Sequence, residues 1–195
     1  MPSKEEIRKI VAERKQAIAD THEMSQAVIN RFMLLPELET CNITMTYVDF
    51  GKEVRTVPLI SELLNQGKKI VVPYCEDGEI QLFLLKNLSQ LAPGYFGILE
   101  PRIELRRLSE FKVFAEELQL VIVPGLGFDP YGGRVGRGKG YYDRFLAKIP
   151  ENVRKAGFAF DCQLFDKVPM SETDQYLDII VSENNIYRRN DVIGI

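Results

Sequence analysis

The sequence lacks the residues on which several common kinds of catalytic site depend. Its only histidine is His22, which nearly excludes histidine-based metal centres and catalytic triads. The three cysteines, Cys41, Cys75 and Cys162, are odd in number and have no metal-site spacing. We therefore expect reduced thiols, and any metal ion bound by this chain should be a hard one with oxygen ligands.

Long apolar runs and a strong excess of one charge are also missing. No apolar run approaches membrane-spanning length, and the first residues, MPSKEEIRK, contain no signal-peptide core. The 25 basic and 28 acidic residues give a net charge of −3, which argues against non-specific binding to nucleic acids or membranes. We expect a cytoplasmic, monomeric protein with a small-molecule substrate, in which residues 1–195 form one domain.

One stretch, residues 119–146, combines a buried strand, a glycine-rich basic loop and the start of a helix. Leu120–Val123 is an apolar run too short for a helix, which favours a buried strand. The loop that follows carries five glycines within residues 132–140. The basic residues set among them are Arg134, Arg137 and Lys139. Glycine backbones can close on phosphate oxygens, and a helix N-terminus adds partial positive charge, so the pattern predicts a polyphosphate cradle.

This loop matches a known phosphate-binding motif except at one position. Residues 133–139 fit the G-x-x-x-x-G-K half of a P-loop, but Gly140 stands where a serine or threonine would help to hold Mg²⁺. Asp143, one helical turn further on, could supply an oxygen instead. The alternative is a surface loop with solvated cations, which is uncommon where glycines and basic residues are this dense after a buried strand.

The same segment resembles the signature of the 5-formyltetrahydrofolate cyclo-ligase (methenyltetrahydrofolate synthetase) family. That signature runs P-G-L-x-F-D-x-x-G-x-R-x-G-x-G-x-G-Y-Y-D, and the chain satisfies it from Pro124 to Asp143. The resemblance implies ATP- and Mg²⁺-dependent cyclisation of 5-formyltetrahydrofolate to 5,10-methenyltetrahydrofolate through a phosphorylated formyl group, with release of ADP and phosphate. It also implies that ATP is bound by Arg134, Val135, Gly136, Arg137, Gly138, Lys139, Gly140, Tyr141 and Tyr142.

The resemblance also implies individual roles. Arg137 and Lys139 are expected to stabilise charge on the transferring phosphoryl group and so to be catalytic. Glu53 fits the glutamate of the family's E-x-x-T segment, and a carboxylate suits the adjacent N–H donors of a pterin ring. The expected substrate contacts are therefore Glu53, Arg137, Gly138, Lys139, Gly140 and Tyr141.

Residues outside the loop complete the predicted site. Lys4 and Arg8 share one face of the first predicted helix, which by pattern alone is an ordinary solvated face. In the family, however, a helix bearing Lys-x-x-x-Arg reaches the ATP phosphates. Asp174 takes the place of a family aspartate that helps to bind Mg²⁺, although a threonine precedes it where a histidine is common. The expected metal ligands are therefore Asp143 and Asp174. Glu100 matches a family G-x-x-E-P segment, and no role is assigned to it.

Alternating strand and helix patterns predict an α/β fold. Strands are predicted at 42–48, 69–73, 80–85, 120–123, 154–160 and 177–182, and helices at 3–20, 23–34, 56–66, 111–118 and from about 140. The helix between the first two strands makes a β-α-β crossover, which gives parallel strands. We expect a single-domain, doubly wound, mostly parallel sheet with helices on both faces. The resemblance places it in the sugar-phosphate isomerase and coenzyme A transferase-like group.

Two other classes of function stay open at this point. One is an ATP-independent enzyme on the same fold, such as a sugar-phosphate isomerase or an acyl-coenzyme A transferase, because fold alone does not fix function. A dependence on ATP would separate it from the ligase. The other is a folate-, nucleotide- or RNA-binding protein without turnover, which the intact phosphate cradle and metal aspartates disfavour.

Overall fold

A seven-stranded sheet forms the centre of the computed structural model, which describes residues 1–94 and 97–193. Its strands, in spatial order, are β11 (Ile186–Arg188), β10 (Ile179–Val181), β9 (Arg154–Phe158), β6 (Leu120–Val123), β1 (Ile43–Thr46), β2 (Lys69–Glu76) and β3 (Glu79–Leu85). The five central strands are parallel, and the edge strands β3 and β11 run antiparallel to their neighbours. The predicted mostly parallel α/β sheet is therefore confirmed.

Helices and two small hairpins surround this sheet. The helices are α1 (Lys4–Gln16), α2 (His22–Met33), α3 (Pro36–Thr40), α4 (Val57–Asn65), α5 (Tyr141–Leu146) and α6 (Arg189–Ile193). The hairpins are β4 (Leu91–Pro93) with β5 (Leu99–Pro101), and β7 (Gly127–Phe128) with β8 (Arg134–Val135). In the described part of the chain, no helix has the length and apolar character needed to span a membrane.

One predicted helix, at residues 111–118, was wrong. This segment contains two short 3-10 turns, Ser109–Phe111 and Ala115–Glu117, joined by extended residues. Phe111 and Leu118 are buried, but Phe114, which should continue the apolar stripe between them, is 66% exposed. Without a continuous buried face, so short a segment gains too little from packing to form an α-helix.

The sheet separates two apolar layers. On one face, Phe32 of α2 and Leu63 of α4 belong to the same cluster as Ile122 of β6. On the other face, Leu146 of α5 packs in a cluster with Val121, the neighbour of Ile122 in the strand. Side chains alternate between the faces along a strand, so β6 is apolar throughout because both of its faces are covered. Helices therefore lie on both faces, as predicted.

The order of the strands reverses between β1 and β6. From β1 the chain builds β2 and β3 on one side, then returns to build β6, β9, β10 and β11 on the other. In open α/β sheets, ligands bind beyond the carboxyl ends of the strands at such a switch point. The loops that leave β1 and β6 at this edge are residues 47–56 and 124–140. They contain the predicted substrate glutamate and the predicted phosphate cradle.

A buried carboxylate, that of Asp129, shapes the glycine-rich loop. Its Oδ1 accepts hydrogen bonds from the backbone N–H groups of Tyr131 (2.9 Å) and Gly133 (2.8 Å). Its Oδ2 accepts one from the N–H of Val168 (2.7 Å). Asp129 is 1% exposed, so these bonds are shielded from water. The carboxylate thus fixes the start of the loop against the segment that leads to the predicted metal ligand Asp174.

Asp129→Ala is expected to lower the free energy of unfolding by roughly 3 kcal/mol, because three backbone donors lose their acceptor where water cannot easily replace it. Urea unfolding followed by circular dichroism measures the change. Asp166→Ala is the matched control, since Asp166 is exposed in the same region, and we expect a change within about 0.5 kcal/mol. Equal free energies of unfolding for the two variants would contradict the role given to Asp129.

Candidate active site

The N-terminal helix α1 is fixed beside the glycine-rich loop. Its start is closed by a capping box, in which Glu6 N–H donates to Ser3 Oγ (3.2 Å) and Ser3 N–H donates to Glu6 Oε2 (2.7 Å). Ile7 and Val11 are buried against Val135 of the loop. This packing sets the rotation of the helix, and with it the direction of the basic residues at its start.

Lys4 and Arg8 both contact other residues of the predicted site. The Nε of Arg8 donates a hydrogen bond to the carbonyl oxygen of Gly136 (3.0 Å). Lys4 forms an ion pair with Asp174. Gly138 has φ +98°, and a Cβ built on it would lie 3.4 Å from the Arg8 guanidinium. The position therefore favours glycine for its conformation and lets the helix approach the loop closely.

Arg134 is the buried cation of the site. Its side chain is 3% exposed, with Nη2 2.7 Å from Oδ1 of Asp143 and Nη1 3.3 Å from the carbonyl oxygen of Pro124. Its Nε has no hydrogen-bond partner among the described residues. A Cβ on Gly136 would lie 2.9 Å from Nη1, so the glycine lets the loop backbone pass over the guanidinium. The same guanidinium lies 5.8 Å from the centre of the Tyr142 ring.

Both predicted metal ligands are paired with predicted phosphate-binding cations. Asp143 pairs with Arg134, and Asp174 pairs with Lys4. Partial burial acts to raise the pKa of Asp174, but hydrogen bonds from Lys4 and from the N–H and Oγ of Ser171 outweigh it. The pKa therefore lies below its ordinary value of 3.8, and this carboxylate is an anion at neutral pH.

The donor set fits Mg²⁺. In the described ranges, no group of three or more histidine, cysteine, aspartate or glutamate side chains forms a ready metal cage. Mg²⁺ does not require one, because it usually keeps several waters and binds one or two carboxylates together with substrate phosphates. Asp143 and Asp174 offer carboxylate oxygens beside the predicted phosphate-binding cations Arg134 and Lys4, which suits that mode of binding.

Glu53 lies opposite the loop, on the segment that leaves β1. Its Oε1 is 2.7 Å from Nη2 of Arg137, and its Oε2 accepts a hydrogen bond from the N–H of Phe50 (3.1 Å). The Glu53 side chain is 14% exposed, whereas that of Arg137 is 60% exposed. Thr56 shapes the segment, since its N–H donates to Oδ1 of Asp49 (2.7 Å) at the start of α4. The two halves of the predicted site therefore meet at the Glu53–Arg137 pair.

Lys139 and the two tyrosines occupy the end of the loop. Lys139 is exposed, and its Nζ lies 6.0 Å from the centre of the Tyr141 ring. Burial raises the pKa of Tyr142 well above its ordinary value, and the nearby Glu53 carboxylate adds to the effect. The Tyr142 phenol is therefore neutral at neutral pH and can act as a hydrogen-bonding or packing group.

Sequence reasoning missed a clasp between α1 and the Glu53 segment. Lys15 Nζ donates to the carbonyl oxygen of Lys52, and Lys52 Nζ donates to that of Lys15, both at 2.8 Å. Lys15 is 8% exposed, and burial lowers its pKa. The spacing gave a signal for its burial, because Lys15 continues the stripe of Ile7 and Val11 at intervals of four residues.

Glu100, to which the sequence assigned no role, lies in an ion pair within its own segment. Its Oε2 is 2.9 Å from Nη2 of Arg106, and both side chains are largely buried. The guanidinium of Arg106 also stacks over Tyr74 of β2, 4.7 Å from the ring centre. These contacts attach the β4–β5 hairpin to the sheet, which supports a structural role for the glutamate.

Comparisons with known proteins point to one enzyme family. The model of the 5-formyltetrahydrofolate cyclo-ligase family matches residues 1–183. The chain is 29% identical over 184 residues to the 5-formyltetrahydrofolate cyclo-ligase of Escherichia coli (strain K12), covering 91% of this chain and 99% of that protein. A probable 5-formyltetrahydrofolate cyclo-ligase of Caenorhabditis elegans is 30% identical over 174 residues, covering 84% of each. The NMR structure of Aquifex aeolicus 5,10-methenyltetrahydrofolate synthetase superposes with a TM-score of 0.81 at 33% identity, covering 96% of this chain and 93% of that one.

Proposed function

The chain belongs to the 5-formyltetrahydrofolate cyclo-ligase family, and we propose that it uses ATP and Mg²⁺ to cyclise 5-formyltetrahydrofolate to 5,10-methenyltetrahydrofolate. The observation that carries this proposal is the arrangement of charges around the glycine-rich loop. Three predicted phosphate-binding or catalytic cations are each paired with a predicted metal- or substrate-binding carboxylate: Lys4 with Asp174, Arg134 with Asp143, and Arg137 with Glu53. We further propose that the protein is a cytoplasmic monomer with one domain.

The chemistry requires activation of a poor leaving group. The N5-formyl group is an amide, so its carbon is a weak electrophile toward N10. Transfer of the γ-phosphoryl group of ATP to the formyl oxygen would release ADP and make that oxygen part of a phosphate ester. N10 then attacks the carbon, N10 loses its proton, and the C–O bond breaks to release phosphate. These steps need positioning and charge stabilisation rather than a protein nucleophile, which fits a site of arginine, lysine and glycine.

The ion pairs support binding of the nucleotide by exchange of partners. Arg134 and Lys4 would turn from carboxylates to phosphate oxygens, to which arginine can donate paired hydrogen bonds. Asp143 and Asp174 would become ligands of Mg²⁺, which would neutralise part of the phosphate charge. During this exchange each cation keeps an anion beside it, and each carboxylate keeps a cation. No charge is therefore left unpaired in the site, which would be strongly unfavourable.

The remaining residues would act at the transferred group. Arg137 is mostly exposed and is paired with Glu53 alone among the described carboxylates, so its guanidinium can move toward the γ-phosphoryl group. Lys139 is exposed at the end of the loop and can approach the same group. Glu53 would then be free to accept hydrogen bonds from the pterin ring. Tyr141 follows the loop with its ring near Lys139 and would border both the nucleotide and the folate.

The proposal is tested by mixing the purified protein with 5-formyltetrahydrofolate and MgATP and following the near-ultraviolet absorbance of methenyltetrahydrofolate. We expect product only when ATP and Mg²⁺ are both present, with one ADP released for each methenyl group formed. Product that forms without ATP would contradict the ligase mechanism. A flat trace from a folded, ATP-binding protein would mean that the acceptor is a different amide.

A further inference from the structure

We propose that Arg144 is a positioning residue that fixes the end of the phosphate loop to the β2–β3 hairpin. This proposal rests on the proposed function, because it concerns the same nucleotide site. Arg144 lies on α5, and its Nη1 donates to the carbonyl oxygen of Lys139 (3.0 Å). Its Nη2 donates to the carbonyl oxygen of Gly78 (2.9 Å), and its Nε lies 3.3 Å from Oε1 of Glu79. One guanidinium thus joins two segments that are far apart in the sequence.

The end of the loop has few other contacts that would restrain it. Arg137, Gly138 and Lys139 are exposed, so little packing restrains them. Gly140, the N-cap of α5, has φ +68°, and it provides no side chain to cap the helix. A Cβ on this glycine would lie 3.1 Å from Nη1 of Arg144, which shows how closely the guanidinium covers the turn.

The same guanidinium also covers the aromatic residue that follows the turn. Its central carbon lies 5.2 Å from the centre of the Tyr141 ring, within the range of a cation–π contact. Arg144 therefore contacts the backbone of Lys139, the turn at Gly140 and the ring of Tyr141, which are consecutive residues of the proposed nucleotide site.

The hairpin is a suitable anchor because its geometry is well defined. β2 and β3 pair over seven residue pairs, from Ile70↔Leu85 to Glu76↔Glu79. Asp77 and Gly78, the two residues of the turn, both have positive φ (52° and 79°), as the preferred turn of a two-residue hairpin requires. The sheet therefore holds the Gly78 carbonyl group in place. Because Arg144 binds both this group and the carbonyl oxygen of Lys139, it restrains the end of the loop.

Lys148 provides a matched comparison. It pairs with the same Glu79 carboxylate, at 2.7 Å, from the residues that follow α5. Its hydrogen bond to Glu79 does not involve the loop backbone. Both basic side chains are exposed, at 45% and 64%, so their ion pairs with Glu79 contribute little stability. The variants Arg144→Gln and Lys148→Gln each remove one cationic partner of Glu79. Only Arg144→Gln also removes the hydrogen bond to the carbonyl oxygen of Lys139.

The experiment compares these variants with the unmodified protein by hydrogen–deuterium exchange and by steady-state kinetics. In Arg144→Gln we expect faster exchange in peptides covering residues 136–143 and a KM for ATP raised about tenfold, equivalent to about 1.4 kcal/mol. In Lys148→Gln we expect unchanged exchange in those peptides and a KM within about twofold. Arg144→Lys keeps the charge but cannot serve two carbonyls and a carboxylate at once, so it should resemble the glutamine variant.

Each result decides one part of the proposal. Equal exchange in the Arg144→Gln and Lys148→Gln variants would overturn the proposal that Arg144 fixes the end of the loop to the β2–β3 hairpin, whatever the activity. Faster exchange with an unchanged KM for ATP would overturn the positioning role and leave a structural contact. If the unmodified protein forms no product with ATP, the proposed function fails, while the exchange measurement still decides whether Arg144 orders the loop.

Discussion

Lys139→Ala is expected to lower kcat at least about a hundredfold, which is the effect of removing one electrostatic stabiliser of a transition state. Lys139 is exposed, and the contact that the structure gives its Nζ is with the Tyr141 ring, 6.0 Å from the ring centre. Its side chain therefore contributes little to folding, and its charge is available to a ligand. The thermal midpoint of unfolding should stay within a few degrees of that of the unmodified protein.

The kinetic test uses Lys148→Ala as its control. Lys148 is also an exposed lysine near α5, but it pairs with Glu79 on the hairpin. We expect its removal to leave kcat unchanged within about twofold, because an exposed ion pair contributes little. If Lys139→Ala retained near-normal turnover, Lys139 would have no part in the mechanism. If both variants lost turnover equally, the effect would come from the general positive field and not from a positioned charge.

The local features of the site follow from short patterns in the sequence. Leu120–Val123 predicted a buried strand because a four-residue apolar run with both faces covered has few other solutions, and the structure has that strand. The capping box of Ser3 and Glu6 and the apolar stripe of Ile7 and Val11 predicted α1 for similar local reasons. Where the local pattern lacked support from packing, as at residues 111–118, the predicted helix was wrong.

The pairing of charges across the site could not be predicted from the residues alone. Arg137 lies 84 positions from Glu53, and Lys4 lies 170 positions from Asp174. The Lys4–Asp174 contact depends on how α1 packs against the segment between β9 and β10. The Glu53–Arg137 contact depends on β6 lying beside β1, which brings the loops that leave these strands together at one edge. Nothing in the local sequence specifies that neighbour, because several strand orders satisfy the same pattern of strands and helices. The resemblance to a family named these residues as site residues but did not show their partners.

The two predicted metal ligands are expected to differ sharply in their effect on stability. Asp143→Asn leaves the guanidinium of Arg134, which is 3% exposed, without its opposite charge, and we expect a loss of about 3 kcal/mol in the free energy of unfolding. Asp174→Asn leaves Lys4, which is 28% exposed and can turn toward water, so we expect a loss under about 1 kcal/mol. Urea unfolding of both variants measures the difference.

The same two variants are expected to behave alike in catalysis. Each removes one proposed oxygen ligand, so the Mg²⁺ concentration that gives half-maximal activity should rise at least about tenfold in both. The double variant Arg134→Met, Asp143→Asn separates the two effects, because it removes the buried charge together with its partner. Its stability should recover most of what Asp143→Asn loses, while its activity stays low. Recovery of activity along with stability would mean that Asp143 serves only to neutralise Arg134. Equal stability of the two single variants would mean that the Arg134–Asp143 pair is no more important to folding than the less buried Lys4–Asp174 pair.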